Sequence, residues 1–279
     1  MDALVSTQWL ADEMGADDLR ILDASLFLPD MNRDAAAEYA AGHIPGARFM
    51  DLAALHDPAD DLPMMLPDAA SFGDRMAALG VSRDDRIVLY EDSPLHSAAR
   101  GWWMLRVFGA RQVAILDGGL AKWRAEGRAL TSDTVTLPRG EFDAAKESGA
   151  VRDLTAMTGN LDTRAEQVVD ARSPARFAGA EPESRPGVEA GHIPGAVNLP
   201  YSALFDADGT WKNPDALARA FADAGVDLDR PIVTSCGSGV TAAVLTFALH
   251  LLGRRSALYD GSWTEWGGRP ALPKQTGTQ

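Results

Sequence analysis

The sequence predicts an α/β fold made of two copies of one plan, each a mainly parallel sheet flanked by helices. Three observations carry this. Segments return in the same order: "AGHIPGARFMDLAAL" at 41–55 as "AGHIPGAVNLPYSAL" at 190–204, and "ILDGGLAKW" at 115–123 as "LYDGSWTEW" at 258–266. Recurrence of this kind marks a duplicated domain. Short apolar runs alternate with helical patterns, as strands joined by helical crossovers do. The two most apolar helical patterns each run into a glycine suited to the position just past a helix end.

In chain order, "RILDAS" (20–25) and "RIVLYE" (86–91) are apolar runs of the first copy. The helix "SAARGWWMLRVFG" (97–109) stops at Gly109. Its Trp102 and Trp103 read as core or domain-interface residues, the usual fate of large aromatic side chains. The stretch "TSDTVTLPRGEFDAAKESGA" (131–150) is polar and holds Pro and Gly, which marks a connector. Domains are therefore expected at 1–135 and 150–279, with 136–149 as the linker. In the second copy "QVVDAR" (167–172) answers "RILDAS", and "PIVTSC" (231–236) answers "RIVLYE". The helix "VTAAVLTFALHLLG" (240–253) follows and ends at Gly253. The final "PKQTGTQ" is expected to fray.

A length of 279 residues suits two domains, and 46% hydrophobic with 24% charged residues suits a folded protein. A net charge of −14 disfavours nucleic acid and anionic membrane surfaces as partners. The opening "MDALVSTQWLADEMG" has neither a basic start nor an unbroken apolar core, so no signal peptide is expected. The apolar stretch Val240 to Leu252 is too short to span a bilayer and carries His250. A single cysteine permits no intramolecular disulfide and no CxxC pattern. No metal or organic cofactor is implied, and a reducing cytoplasm is the expected home.

Duplication separates structure from chemistry: what both copies hold serves the fold, and what one copy holds can serve function. His43 and His192 occupy matching "HIPGA" turns and read as structural. Cys236 has no twin, because its counterpart lies near Glu91 in "LYEDS". The second copy therefore carries the chemistry.

Cys236 ends an apolar run and precedes Gly237, Ser238 and Gly239, with a helix expected from about Val240. Such a strand–loop–helix turns backbone N–H groups and a helix N-terminus toward one point, a cradle for negative charge. A thiolate is the nucleophilic form of cysteine, so a cradle there favours chemistry over a buried, inert thiol. Phosphatase loops of this shape place an arginine six residues after the cysteine; here that residue is Ala242. The loop is no G-x-S-x-G serine elbow, since Cys236 and Val240 hold its glycine positions. A cysteine protease needs a base, and no residue in the sequence is marked as one. Sulfur transfer fits better, because a thiolate taking sulfur from a C–S or S–S bond needs no base of its own.

With its duplicated domain, paired "HIPGA" turns, "DGSWTEW" and above all "CGSGVT", the chain resembles the tandem-domain rhodanese superfamily. Within it the loop is most similar to that of the 3-mercaptopyruvate sulfurtransferases. Thiosulfate sulfurtransferases typically read C-R-K-G-V-T, with basic side chains for a dianion, where this chain has Gly237 and Ser238. The resemblance implies two tandem rhodanese-like domains, and two arginines that hold the donor's carboxylate and keto groups. In "PARFAGAEPESRPG" these are Arg176 and Arg185. Both lie in a loop-like segment, and arginine forks suit carboxylates.

The resemblance further implies a Cys236 persulfide formed from 3-mercaptopyruvate with release of pyruvate. Ser238 and the loop residues Gly237, Gly239, Val240 and Thr241 face the substrate. A thiol such as thioredoxin or glutathione, or cyanide in an assay, then accepts the sulfur. Rival readings are a thiosulfate:cyanide sulfurtransferase and a persulfide relay loaded by a desulfurase partner. One departure stands out. Many family members carry an Asp and a His after the first "HIPGA", proposed to relay a proton with the loop serine. This chain has Ala53 and Met64 there, with Asp51 and His56 nearby but out of register.

Overall fold

The computed structural model describes residues 1–147 and 149–278; Ser148, within the expected linker, and the final Gln279 lie outside them. The first copy runs β1 (Leu4–Val5), α1 (Thr7–Glu13), β2 (Leu19–Asp23), α2 (Ala35–Ala41) and β3 (Ala47–Phe49). It continues with α3 (Ala69–Ala78), β4 (Arg86–Tyr90), α4 (Ala98–Val107), β5 (Gln112–Leu116) and α5 (Gly119–Ala125). The second copy repeats the series as β6 (Val151–Arg152), α6 (Leu154–Thr163), β7 (Gln167–Asp170), α7 (Pro174–Phe177) and β8 (Val197–Asn198). It ends with α8 (Pro214–Asp223), β9 (Ile232–Ser235), α9 (Ala242–Leu251), β10 (Ala257–Tyr259) and α10 (Ser262–Gly267).

Each copy folds into a five-stranded sheet, in the orders β1-β5-β4-β2-β3 and β6-β10-β9-β7-β8, which match strand for strand. Every ladder between these strands is parallel. Parallel sheets are covered on both faces, so their central strands are apolar throughout rather than alternating. Accordingly all four residues of β9 and the last four of β4 are buried. Helices α4 and α9 end as the sequence predicts, with Gly109 at φ +99° and Gly253 at φ +70° just beyond them. Trp102 and Trp103 are buried, and Trp102 Nε1 donates to the Val113 carbonyl at 3.1 Å.

The two compact units are not contiguous in sequence. One comprises Met1–His56, Pro67–Glu147 and Phe205–Trp211; the other comprises Asp57–Leu66, Ser148–Leu204 and Lys212–Gln279. In the first unit Asp117 Oδ1 accepts the Trp211 N–H at 2.9 Å. In the second, the twin residue Asp260 accepts the Leu66 N–H through Oδ2 at 2.7 Å. Each unit thus holds a short segment from the other copy's sequence with the same aspartate.

Residues 136–147, which the composition marks as a connector, run along the first unit. Arg83 N–H donates to the Glu141 carbonyl and Glu147 N–H to that of Val107, and Phe142 packs edge-on against Phe72. The tail is a correction to the sequence reading. His192 and Gln275 exchange backbone hydrogen bonds of 2.8 and 3.0 Å, and Gly277 N–H donates to the Ala178 carbonyl. The chain is pinned there because the second "HIPGA" turn needs a partner strand, as His43 of the first turn takes Thr131. The two histidines match as well. Each is fully buried, stacks on an aromatic ring (Tyr39 at 4.0 Å, Phe177 at 3.7 Å) and has Nδ1 on a backbone carbonyl.

Candidate active site

In an open parallel sheet, ligands bind beyond the carboxyl ends of two neighbouring strands whose connections leave in opposite directions. In the second unit those strands are β7 and β9: β7 leads outward to β8, and β9 leads the other way to β10. The chain leaves β7 through Ala171 and Arg172 and leaves β9 into Cys236, with Ala171 N–H bonded to the Ser235 carbonyl at 2.8 Å. The cysteine and the arginine-bearing segment therefore meet where the topology opens a crevice.

Cys236 is 2% exposed and its thiol is free. Gly239, at φ +79°, turns its N–H onto Cys236 Sγ at 3.1 Å. A left-handed residue here aims the amide inward, and glycine adopts that conformation without a Cβ penalty. Helix α9 starts two residues later than the apolar pattern suggests, because Val240 and Thr241 complete the turn, with Thr241 at the N-cap position. Ser238 is half-buried, Val240 is buried and Thr241 half-buried. Tyr201, half-buried in the 3-10 turn Tyr201–Leu204, is a further neighbour: burial, and then the negative charge Cys236 can carry, push its phenol up.

Arg176 lies against the loop. A Cβ on Gly237 would stand 3.1 Å from Arg176 Nη2, a contact tight enough that the guanidinium would have to shift by a few tenths of an ångström. Arg176 is held in turn by Glu183, whose Oε2 accepts from Nη2 at 2.5 Å. Glu183 Oε1 accepts from Arg172 Nη1 at 2.7 Å, and Arg172 grips Asp170 through Nε and Nη2. Arg172 is 1% exposed on its side chain and lies over the Trp263 ring at 4.7 Å. Burial alone would lower its pKa; Asp170 and Glu183 outweigh that and raise it, so the cation persists. The chain Asp170–Arg172–Glu183–Arg176 is thus a buried charge relay ending at the Cys236 loop, with only Arg176 open to solvent.

Arg185 is exposed, and among the described residues its guanidinium has no hydrogen bond or ion pair. The structure brings Arg176 to the loop and leaves Arg185 free at the mouth of the same segment. Met64, at φ +62°, lies in the Asp57–Leu66 segment and so shares a unit with Cys236. Ala53 is exposed in the other unit, where His56 Nδ1 contacts the Ala53 carbonyl at 2.7 Å and Asp51 Oδ1 accepts the Ala54 N–H.

The sequence reading did not single out Arg172, Glu183 or Tyr201. Comparison of the copies holds the signal for two of them. "QVVDAR" differs from "RILDAS" in placing Arg172 against Ser25, and Tyr201 stands against Leu52. The consequence is visible in the first copy: Asp23 keeps the turn, accepting the Ser25 N–H at 2.9 Å, but lacks the cation, and burial pushes its carboxyl up. Where Cys236 sits, the first copy has Glu91, whose Oε2 accepts the Ala98 N–H at 3.1 Å. A carboxylate there fills the position at the helix start that the second copy reserves for sulfur.

Known proteins match this arrangement along its length. The model of the rhodanese-like domain matches twice, at residues 6–126 and 153–269. The 3-mercaptopyruvate sulfurtransferase of Escherichia coli (strain K12) is 44% identical over 271 residues, 96% of each chain. The thiosulfate sulfurtransferase of Rattus norvegicus is 40% identical over 272 residues, 95% of this chain and 91% of the relative. The crystal structure of SseA from Escherichia coli, described as a 3-mercaptopyruvate sulfotransferase, superposes with a TM-score of 0.86 at 42% identity, covering 94% of this chain and 99% of that one. Two matched domains, a free cysteine in the second and full-length relatives together establish that the chain belongs to the rhodanese-like family.

Proposed function

We propose that the chain is a sulfurtransferase that moves sulfur from 3-mercaptopyruvate, through a persulfide on Cys236, to a thiol acceptor, releasing pyruvate. The observation that carries the choice of donor is the bare loop at Gly237, with the Arg176 guanidinium at 3.1 Å from where a Cβ would be. A basic side chain there would crowd Arg176 and suit a dianion; a bare loop leaves Arg176 to pair with a keto acid's single carboxylate.

Cys236 thiolate attacks the donor sulfur. The Sγ–S bond forms, the carbon–sulfur bond breaks, and its electron pair leaves as the enolate of pyruvate, which takes a proton on carbon. The donor's own sulfur-bound proton stays with the outer sulfur or is lost to solvent. Ser238 and the N–H groups of Gly237, Gly239, Val240 and Thr241 stabilise the developing negative charge, as preorganised donors do. Arg176 and Arg185 hold the carboxylate and keto oxygens. An external thiolate, such as thioredoxin or glutathione, then attacks the outer sulfur and returns Cys236 as thiolate. The chain has no second cysteine to do so. A reducing cytoplasm, which supplies such thiols, is the setting that suits it; among the described residues no helix is long and apolar enough to cross a membrane.

The deciding measurement compares pyruvate release from 3-mercaptopyruvate with thiocyanate formation from thiosulfate and cyanide. A higher kcat/KM for mercaptopyruvate is expected. Preference for thiosulfate would overturn the donor, and fast loading only from a desulfurase protein would make the chain a relay. Arg176→Ala and Arg185→Ala are each expected to lower kcat/KM for mercaptopyruvate by about ten- to a hundredfold, the effect of losing a charge-assisted hydrogen bond. Near-native kinetics in both would remove the arginines from substrate binding.

A further inference from the structure

The start of α10 grips the peptides on either side of the nucleophile. Cys236 N–H donates to Ser262 Oγ at 3.3 Å, and the Cys236 carbonyl accepts the Trp263 N–H at 2.9 Å. The Gly237 carbonyl accepts twice from one residue: the Thr264 N–H at 2.9 Å and Thr264 Oγ1 at 2.7 Å. The first copy keeps only one of the backbone bonds. There the Glu91 carbonyl accepts the Leu120 N–H at 2.9 Å, and the residues matching Ser262 and Thr264 are Gly119 and Ala121, which have no hydroxyl. The carbonyl of Asp92, twin of Gly237, is taken by Arg33 instead. Both hydroxyls occur only in the copy that has the cysteine.

Ser262 is also held at φ +50°, the left-handed region, where its twin Gly119 lies at φ +55°. A serine pays a steric penalty in that conformation that glycine does not. It is fully buried, and its Oγ donates to the Tyr259 carbonyl at 2.9 Å, leaving a lone pair for the Cys236 N–H. The second copy has taken a strained residue at the one place where its hydroxyl reaches the nucleophile.

We propose that Thr264, with Ser262 behind it, is a positioning residue that fixes the peptide planes around Cys236. The need arises at Gly237. Arg176 crowds a side chain there, and the bare glycine the chain uses lets its peptides rotate more freely than any other residue would. All peptides among the described residues are trans, so each N–H points away from the preceding carbonyl. Pinning the Cys236 carbonyl therefore aims the Gly237 N–H, and pinning the Gly237 carbonyl aims the Ser238 N–H. Donors aimed before the reaction need not reorganise as negative charge develops on the sulfur and the departing enolate. Thr264 acts on the reaction through these amides and touches no substrate.

This inference rests on Cys236 as the sulfur carrier, and the unaltered protein tests that separately: no pyruvate from 3-mercaptopyruvate would sink both. With an active parent, steady-state kinetics of Thr264→Val and Thr264→Ser decide the inference. Valine keeps the shape and the backbone bond but loses the hydroxyl; kcat is expected to fall about tenfold with KM within about twofold, and serine is expected to restore kcat to within about threefold. A Val variant with parental kcat, or a Ser variant as slow as Val, overturns the role. Ser262→Gly supplies a variant that cannot fail by strain, since glycine suits φ +50°. Relief of the left-handed strain offsets part of the two lost hydrogen bonds, so it should still fold cooperatively while kcat falls, and parental kcat there would remove Ser262 from the proposal.

Discussion

Cys236→Ser is expected to lose sulfur transfer with every donor while melting within a few degrees of the parent. A persulfide needs a sulfur at this position; an oxygen would have to form a weak O–S bond and is a far poorer nucleophile at neutral pH. The hydroxyl fits the space, and the Gly239 N–H that lies 3.1 Å from Sγ can donate to oxygen equally well, so no buried donor is stranded. Two readings check the result: pyruvate release, expected at background, and the mass of the peptide containing residue 236 after treatment with mercaptopyruvate. The parent should gain one sulfur there and the variant none. Robust turnover in the serine variant, or a sulfur adduct on another peptide, would end the persulfide mechanism.

The largest stability effect is expected from Arg172→Leu. Its guanidinium stands between the carboxylates of Asp170 and Glu183, with side chains 1%, 3% and 5% exposed respectively. Removing one partner of a buried ion pair leaves uncompensated charge and typically costs about 3–5 kcal/mol. Here two carboxylates are stranded, and the Gly191 carbonyl loses its 2.7 Å donor. Urea denaturation should show the loss, and Arg172→Lys, which keeps the charge without the fork, should fall between. What survives folding should also bind mercaptopyruvate poorly, because Glu183 loses the anchor from which it holds Arg176. A loss below about 1 kcal/mol would mean that the network is solvated and holds nothing.

Much of this was legible in the sequence, and the reason is locality. The cysteine loop works through consecutive residues, so "PIVTSCGSGVTAAV" written out already contains a strand, a turn and a helix start. Duplication made the fold legible too, since two sets of turns in one order leave few topologies to consider. What stayed hidden joins residues distant along the chain. Glu183 reads as one more acidic loop residue until β7 and the "HIPGA" turn bring it beside Arg172. Ser262 and Thr264 read as parts of a repeated motif; only their distance to Cys236 and Gly237 gives them a task. The tail is instructive as well. "PKQTGTQ" has a frayed composition, yet backbone groups of His192 recruit it, and backbone pairing leaves no trace in side-chain character.

The exchanged segments bear on whether either copy could stand alone. In the present chain the unit with the cysteine draws Asp57–Leu66 from the other copy's sequence, and the opposite unit draws Phe205–Trp211 in return. Because Asp260 and Asp117 each accept an amide of those segments, neither copy is a self-sufficient message. A deletion that trimmed the gene back to one repeat would leave an aspartate without its amide and a fold without one of its pieces. The first copy, though it carries Glu91 in place of a nucleophile, therefore cannot be discarded: the duplication acts as a ratchet.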